Sequence, residues 1–350
     1  MNRRKTSILS VALVILVAIA IFMPVPYVIE GPGPLFNTLG ASHGKQYVDI
    51  SGVKTYPTSG ELNMTTVSVF GGPGEGVDLF QAIGAVLSSR YHVLPREALY
   101  PENLTQSQNA AINAEAFSTS QSFAIGAAMK YLHQHVNEQI VVSSIQDGMP
   151  AQGKLTAGDV IVAVDGVKAV TPEQTVNLVH VPPVGRVVTF TVLRNSVARD
   201  IKIKTVAKPG SPKVPYVGIG VDTLYSADFP INFGVNDVGG PSAGTMFALA
   251  IIDKLTPGGL ANGKVIAGTG TIDPDGAVGP IGGIAQKMIG ARDHGAVLFL
   301  APIENCDEVI GHIPDGLTVV PIHTLSGAVQ TLQDYRAGKT LKHCTVSNSQ

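Results

Sequence analysis

The alternation of apolar and polar positions divides the chain into stretches that call for different structures. An apolar run covers residues 8–23, broken only by Ser10. Over residues 45–70, short Val-, Ile- and Thr-rich segments at 47–50 and 64–70 alternate with Gly, Pro and Ser turns, which predicts strands. Apolar residues then recur at helical spacing over 77–90 and over 117–133, where Phe123, Ala124, Ala127, Ala128 and Leu132 form one stripe. The mostly polar stretch 95–113 between them reads as loop.

Strands return at 141–142, 160–164, 187–194 and 199–206, with a helix over 172–179. The turn Gly158-Asp159 feeds an alternating strand that closes on Asp165-Gly166, a hairpin signal. A Pro/Gly/Ser/Lys stretch at 208–213 reads as a linker. Beyond it the pattern alternates: strand 217–222, helix 242–255, strand 264–272, helix 283–294, strand 297–301, then helices over 307–313 and 325–335. The fold class is α+β.

Composition adds bulk and compartment. The 350 residues suffice for two modest domains, and 45% hydrophobic against 14% charged residues excludes a disordered chain. A net charge of −2, with no basic run beyond the first residues, gives no case for nucleic acid. Arg3, Arg4 and Lys5 precede an uncharged stretch, 6–23, of 18 residues, close to the roughly 20 that cross a bilayer as a helix. The expectation is a single-pass anchor in the cell membrane, with everything after Pro24 extracytoplasmic. A cleaved signal peptide, with Ala18-Ile19-Ala20 as its site, is the alternative. Cys306 and Cys344 suit that compartment as one disulfide or as two free thiols. The nine histidines are scattered and no HExxH motif occurs, so no metal or other cofactor is expected.

The chemistry concentrates near the C-terminus. Gly239-Gly240-Pro241-Ser242-Ala243-Gly244 puts a serine between small residues at the start of a helical run, where free backbone N–H groups and the helix dipole favour an oxyanion. Gly240, Pro241 and Ala243 would shape that turn. A serine hydroxyl needs a base, and Lys287 stands 45 positions later among Ile284, Ala285, Met288 and Ile289, surroundings that disfavour its charge. Singly, Ser242 also reads as a helix cap and Lys287 as a lysine reaching to solvent. Gly258-Gly259-Leu260-Ala261-Asn262-Gly263-Lys264 approaches a phosphate-binding loop, but Val265 holds the position where a hydroxyl is required.

Two resemblances tie these motifs together. Asp147-Gly148-Met149-Pro150-Ala151 followed by residues 155–166 resembles a bacterial PDZ domain, although residues 138–141 offer no match to the Gly-hydrophobic-Gly-hydrophobic loop that takes a peptide carboxylate. Residues 240–244, 268–272, 278–287 and 295–302 resemble, in order and spacing, the proteolytic domain of the Lon family. That resemblance implies Ser242 as nucleophile, Lys287 as general base and Thr269 as a residue orienting the lysine. It departs at Gly239, where an acidic residue is usual, and at 230–236, which replace a histidine-bearing strand. The implied layout is a tip and anchor at 1–26, a strand and helix region at 27–136, a PDZ-like domain at 137–207, the Lon-type domain at 208–340 and a tail at 341–350. Residues 40–133 would share one body with Ser242, the PDZ-like segment being inserted into it. The expected protein is an ATP-independent, membrane-anchored serine endopeptidase acting on protein or peptide substrates, some of them engaged by the PDZ-like domain. Lon-type domains often form rings, so a homo-oligomer is a further expectation. Two other readings stand beside it: an esterase with a Ser-His-Asp triad drawn from His294, His312 or His323, and a non-catalytic PDZ scaffold at the membrane.

Overall fold

A computed structural model describes residues 23–42, 44–72, 76–101, 104–235 and 238–345. The first body begins with strand β1 (Tyr27–Asn37) and strand β2 (Glu61–Phe70), followed by helix α1 (Leu79–Val86), strand β3 (His92–Pro95) and helix α2 (Gln106–Tyr131). The chain then leaves for a second unit, His133–Phe229. It is built from β4 (Asn137–Ile145), β5 (Val160–Val164), α3 (Pro172–Val179), β6 (Val187–Arg194), β7 (Val197–Lys204) and β8 (Ile219–Ser226). On returning, the chain completes the first body with α4 (Gly244–Leu255), β9 (Val265–Gly268), α5 (Ile284–Asp293), β10 (Leu298–Pro302), β11 (Thr318–Ile322) and α6 (Leu325–Arg336).

The first body is organised by a six-stranded sheet in the order β11-β10-β9-β2-β1-β3. Strand β9 runs parallel to β2, with Ile266 opposite Leu62, and β10 and β11 extend the parallel half. Strands β1 and β3 are antiparallel to their neighbours. The parallel half reads as unbroken apolar runs because both of its faces are covered: all five residues of β10 are buried. The β2–β9 pairing puts residues 27–132 and the Ser242 region in one body, with the second unit between them in sequence.

Helix α2 starts at Gln106, well inside the stretch whose polarity predicted loop. Its first turns face solvent and are therefore polar, while the start is encoded by a capping box between Thr105 and Gln108. The later turns bury Phe117, Ala124, Ala127 and Met129, and Phe117 meets Phe247 of α4 edge to face at 5.8 Å.

The second unit is a sheet ordered β7-β6-β5-β4-β8 around a core that includes Val142, Ile161, Val188, Phe190 and Ile203. Strand β8 pairs antiparallel with β4, Val221 opposite Val142. The unit therefore runs to Phe229 rather than 207, and the strand expected at 217–222 belongs to it and not to the C-terminal half. Periodicity identifies a strand but not the sheet it joins.

A disulfide joins Cys306 to Cys344, selecting one of the two readings left open for the cysteines. The expected anchor falls almost wholly on residues 1–22, outside the described residues. Among the described residues no helix is long and apolar enough to cross a membrane.

Candidate active site

Ser242 lies where the loop 238–243 runs into α4, and that loop is held from two sides. From α2, the Asn113 carbonyl accepts from Gly240 N–H at 2.9 Å and the Ser120 hydroxyl donates to the Pro241 carbonyl at 3.1 Å. Gly240 needs its positive φ of 83° to make the turn. From the other side, the Ser242 carbonyl accepts from Gly270 N–H at 2.9 Å and from Thr269 Oγ1 at 3.0 Å. Gly244 lets α4 begin this close to its neighbours: an added Cβ would stand 2.7 Å from Ile272 and 2.8 Å from Ser120.

Lys287 approaches from α5, and its residue is only 3% exposed. Its Nζ donates to the Thr65 carbonyl at 2.9 Å and to Thr269 Oγ1 at 3.2 Å, and it lies 2.9 Å from Ser242 Oγ. The donor and acceptor inventory admits a neutral amine at this position. The Thr65 carbonyl can only accept, and Thr269 has already committed its hydroxyl proton to the Ser242 carbonyl. These two acceptors take two N–H groups; an ammonium donates its third to Ser242 Oγ, whereas a neutral amine turns its lone pair to the Ser242 hydroxyl proton. Burial favours the neutral form, lowering the Lys287 pKa from 10.5 to about 7 against a smaller opposing pull from Glu30.

Glu30, on β1, is a site residue that periodicity did not reveal, because residues 28–31 are all buried without alternation and the turn formers Gly31-Pro32-Gly33-Pro34 beside it continue the strand here. Its residue is 6% exposed and burial raises its carboxyl pKa above the ordinary value, while His92 and Lys287 pull it down. One carboxyl oxygen lies 3.9 Å from His92 Nδ1. Gly283, with φ of 68°, starts α5 next to this carboxyl, and any Cβ there would press 2.7 Å from Val67. Glycine thus lets the helix that carries Lys287 sit down on β2.

Glu30, Thr65, Ser242 and Lys287 open onto a cavity of about 560 Å³ that also meets Phe36, Val67 and Leu99. A second cavity of about 690 Å³, lined by Phe123, Ile272, Val278 and His323, shares Pro241 with the first. Ser242 opens onto the first cavity alone, and Pro241 beside it separates the two, each of ligand size. Of the expected site residues, Ser242, Lys287 and Thr269 meet through direct hydrogen bonds, and Gly240, Pro241 and Ala243 line the wall. Of the candidate triad histidines, His294 and His312 turn Nδ1 to the carbonyls of Gly290 and Glu308 in their own segments, and His323 lines the second cavity rather than the one that holds Ser242 and Lys287. No group of metal-ligating side chains occurs among the described residues.

The second unit holds a feature missed because it was sought at the wrong end. Residues 138–141 form ordinary strand, whereas Gly218-Ile219-Gly220-Val221 forms, from Ile219 on, the start of β8, one of the two edge strands. Gly218 has φ of 81°, and a Cβ there would overlap the Met149 side chain. Strand β8 pairs with β4 on one edge and packs near α3. Testing the motif against both ends of the segment would have found it.

Comparison with known proteins supports both halves. Residues 124–205 match the PDZ domain family, and residues 230–333 match the Lon protease (S16) C-terminal proteolytic domain. Lon protease of Azospirillum brasilense is 35% identical over 101 residues, covering 28% of this chain and 12% of that protein. Lon protease of Brucella suis biovar 1 is 35% identical over 117 residues, covering 32% of this chain and 13% of that protein. The chain thus spans about an eighth of the length of these relatives. Among solved structures, the PDZ domain of an SdrC-like protein from Listeria innocua is 27% identical, covering 23% of this chain and 90% of that one at a TM-score of 0.22.

Proposed function

We propose that this chain, in which a PDZ domain and a Lon C-terminal proteolytic domain are both found, is a serine endopeptidase with Ser242 as nucleophile and Lys287 as general base. The observation that carries the reading is the 2.9 Å approach of the buried Lys287 Nζ to Ser242 Oγ, with the Thr65 carbonyl and Thr269 Oγ1 holding the amine in place. Neutral Lys287 takes the hydroxyl proton as Oγ attacks the scissile carbonyl carbon. The oxyanion forms beside the backbone N–H groups at the start of α4. Lysinium returns the proton to the leaving amine as the C–N bond breaks, giving an acyl-enzyme. Water then attacks the ester, Lys287 takes its proton, and the acid departs as Oγ recovers a proton.

Cleavage on this reading needs no ATP. The glycine-rich loop at 258–264 follows a helix and precedes β9, the reverse of the strand-loop-helix order of a phosphate cradle. It is also bonded into the fold: Ser59 O accepts from Gly263 N–H and Lys264 O accepts from Glu61 N–H. The substrates are flexible or unfolded chains, and the free edge of β8 beside α3 would hold one by strand addition, with Gly218-Ile219-Gly220-Val221 at its mouth. Residues 6–23 anchor the protein in the cell membrane by a single pass.

The test is cleavage of an unfolded protein without nucleotide. Ser242→Ala and Lys287→Ala should each abolish it with the fold retained. Full turnover by Lys287→Ala, with loss on replacing His294 or His323, would favour the esterase triad. Absence of cleavage by the unmodified chain, with peptide binding intact, would leave the PDZ scaffold.

A further inference from the structure

Helix α1 is one-sided in an unusual direction. Its buried face is small, Ala82 and Ala85 packing on Ile29 and Val77. Its large apolar residues point outward: Phe80 is 71% exposed, Ile83 50%, Val86 69% and Leu87 82%. No charged residue occurs from Leu79 to Ser89. The helix is nonetheless firmly started, with Asp78 and Gln81 forming a capping box. Four large apolar side chains on adjacent turns of one short helix exceed the scattered exposure normal on soluble surfaces.

The strand pairing at its start indicates what covers this face. Pro24 and Val25 pair antiparallel with Asp78 and Val77. The apolar run 8–23 therefore delivers the chain within one strand spacing, about 4.8 Å, of the residue that caps α1. A segment held in a bilayer up to Met23 keeps α1 within reach of the same bilayer surface.

We propose that the exposed face of α1, formed by Phe80, Ile83, Val86 and Leu87, lies in the lipid interface of the membrane that holds the N-terminal segment. This rests on the reading of residues 6–23 as an anchor. The occupant is lipid and not an acidic surface, because the face carries no cation to recognise one. Side chains of this kind enter the boundary between headgroups and acyl chains to a depth of about 5–10 Å. The anchor and α1 then form two attachments on one body, restricting how the Ser242 cleft can tilt relative to the membrane.

The absence of tryptophan from the chain provides the test, because Phe80→Trp introduces a single reporter. The full-length variant is reconstituted in phosphatidylcholine vesicles with and without lipid carrying a nitroxide at carbon 5, and flotation confirms incorporation. The expected result is blue-shifted emission that the nitroxide quenches, as an interfacial depth of about 5–10 Å requires, and no change on adding salt. Adding Ile83→Asp should relieve the quenching without releasing the protein from the vesicles. Flotation with solvent-like, unquenched emission overturns the proposal while leaving the anchor standing. A blue shift without quenching, lost as protein is diluted into lipid, overturns it in favour of a second copy on this face. Failure to float overturns the anchor and this proposal together.

Discussion

Lys287 Nζ lies 2.9 Å from Ser242 Oγ and 2.9 Å from the Thr65 carbonyl oxygen. The lysine is thus fastened to the sheet strand β2 and aimed at the nucleophile by the same atom. Its partners lie 45 and 222 residues away in sequence, so the arrangement exists only once β2 has paired with β9.

The acid limb of the pH profile should report Lys287. Its pKa is lowered to about 7, and the reactive form is neutral. Activity should therefore rise as pH increases through about 7 and level off above it, instead of rising near the ordinary lysine value. A profile of kcat/KM against pH, which follows the free enzyme, checks this.

Glu30→Gln should move that limb to lower pH. The Glu30 charge opposes the effect of burial on Lys287, so removing it lets the lysine lose its proton more easily. A merely structural role for Glu30 would lower the plateau and leave the midpoint in place.

Thr269→Val removes one acceptor of the Lys287 amine and one donor to the Ser242 carbonyl while keeping the side-chain shape. Losing such bonds in a buried site costs about 1–3 kcal/mol. The expected result is a fall in kcat of about 5- to 160-fold by the rate equivalence of that energy, with KM little changed, read from steady-state kinetics.

Stability should carry the same signature. The folded-state pKa of Lys287 lies below its unfolded value, so between about 7 and 10.5 the unfolded chain binds more protons than the native one. The contribution of this group to stability therefore rises with pH across that window and is flat below it. Denaturant titrations at several pH values should show the slope in the unmodified protein, and Lys287→Met should remove it.

How far the chain could be read in advance depended on whether a signal was local. Ser242 and Lys287, each readable singly as a helix cap and as a lysine reaching to solvent, stood out only as a pair, in order and spacing with the Thr269 segment between them. Glu30 was not legible, since its proximity to Lys287 comes from β1 lying beside β2 in the sheet, a relation absent from local spacing. The first turns of α2 were hidden by their own exposure, which made helix look like loop. The place of β8 was hidden because its partner β4 lies some 80 residues earlier, across a whole unit. The resemblance of residues 240–302 to one family carried more than periodicity could, because order and spacing encode the contacts that bring Thr269 to Lys287.

The most direct test of the dyad is the trapping of its intermediate. The unmodified protein and Lys287→Met are mixed with an activated peptide ester at pH 8, and the covalent adduct is located by mass spectrometry. The dyad predicts an acyl group on Ser242 in the unmodified protein and none in Lys287→Met, with both proteins folded. An adduct forming on Ser242 at an undiminished rate in Lys287→Met would contradict it.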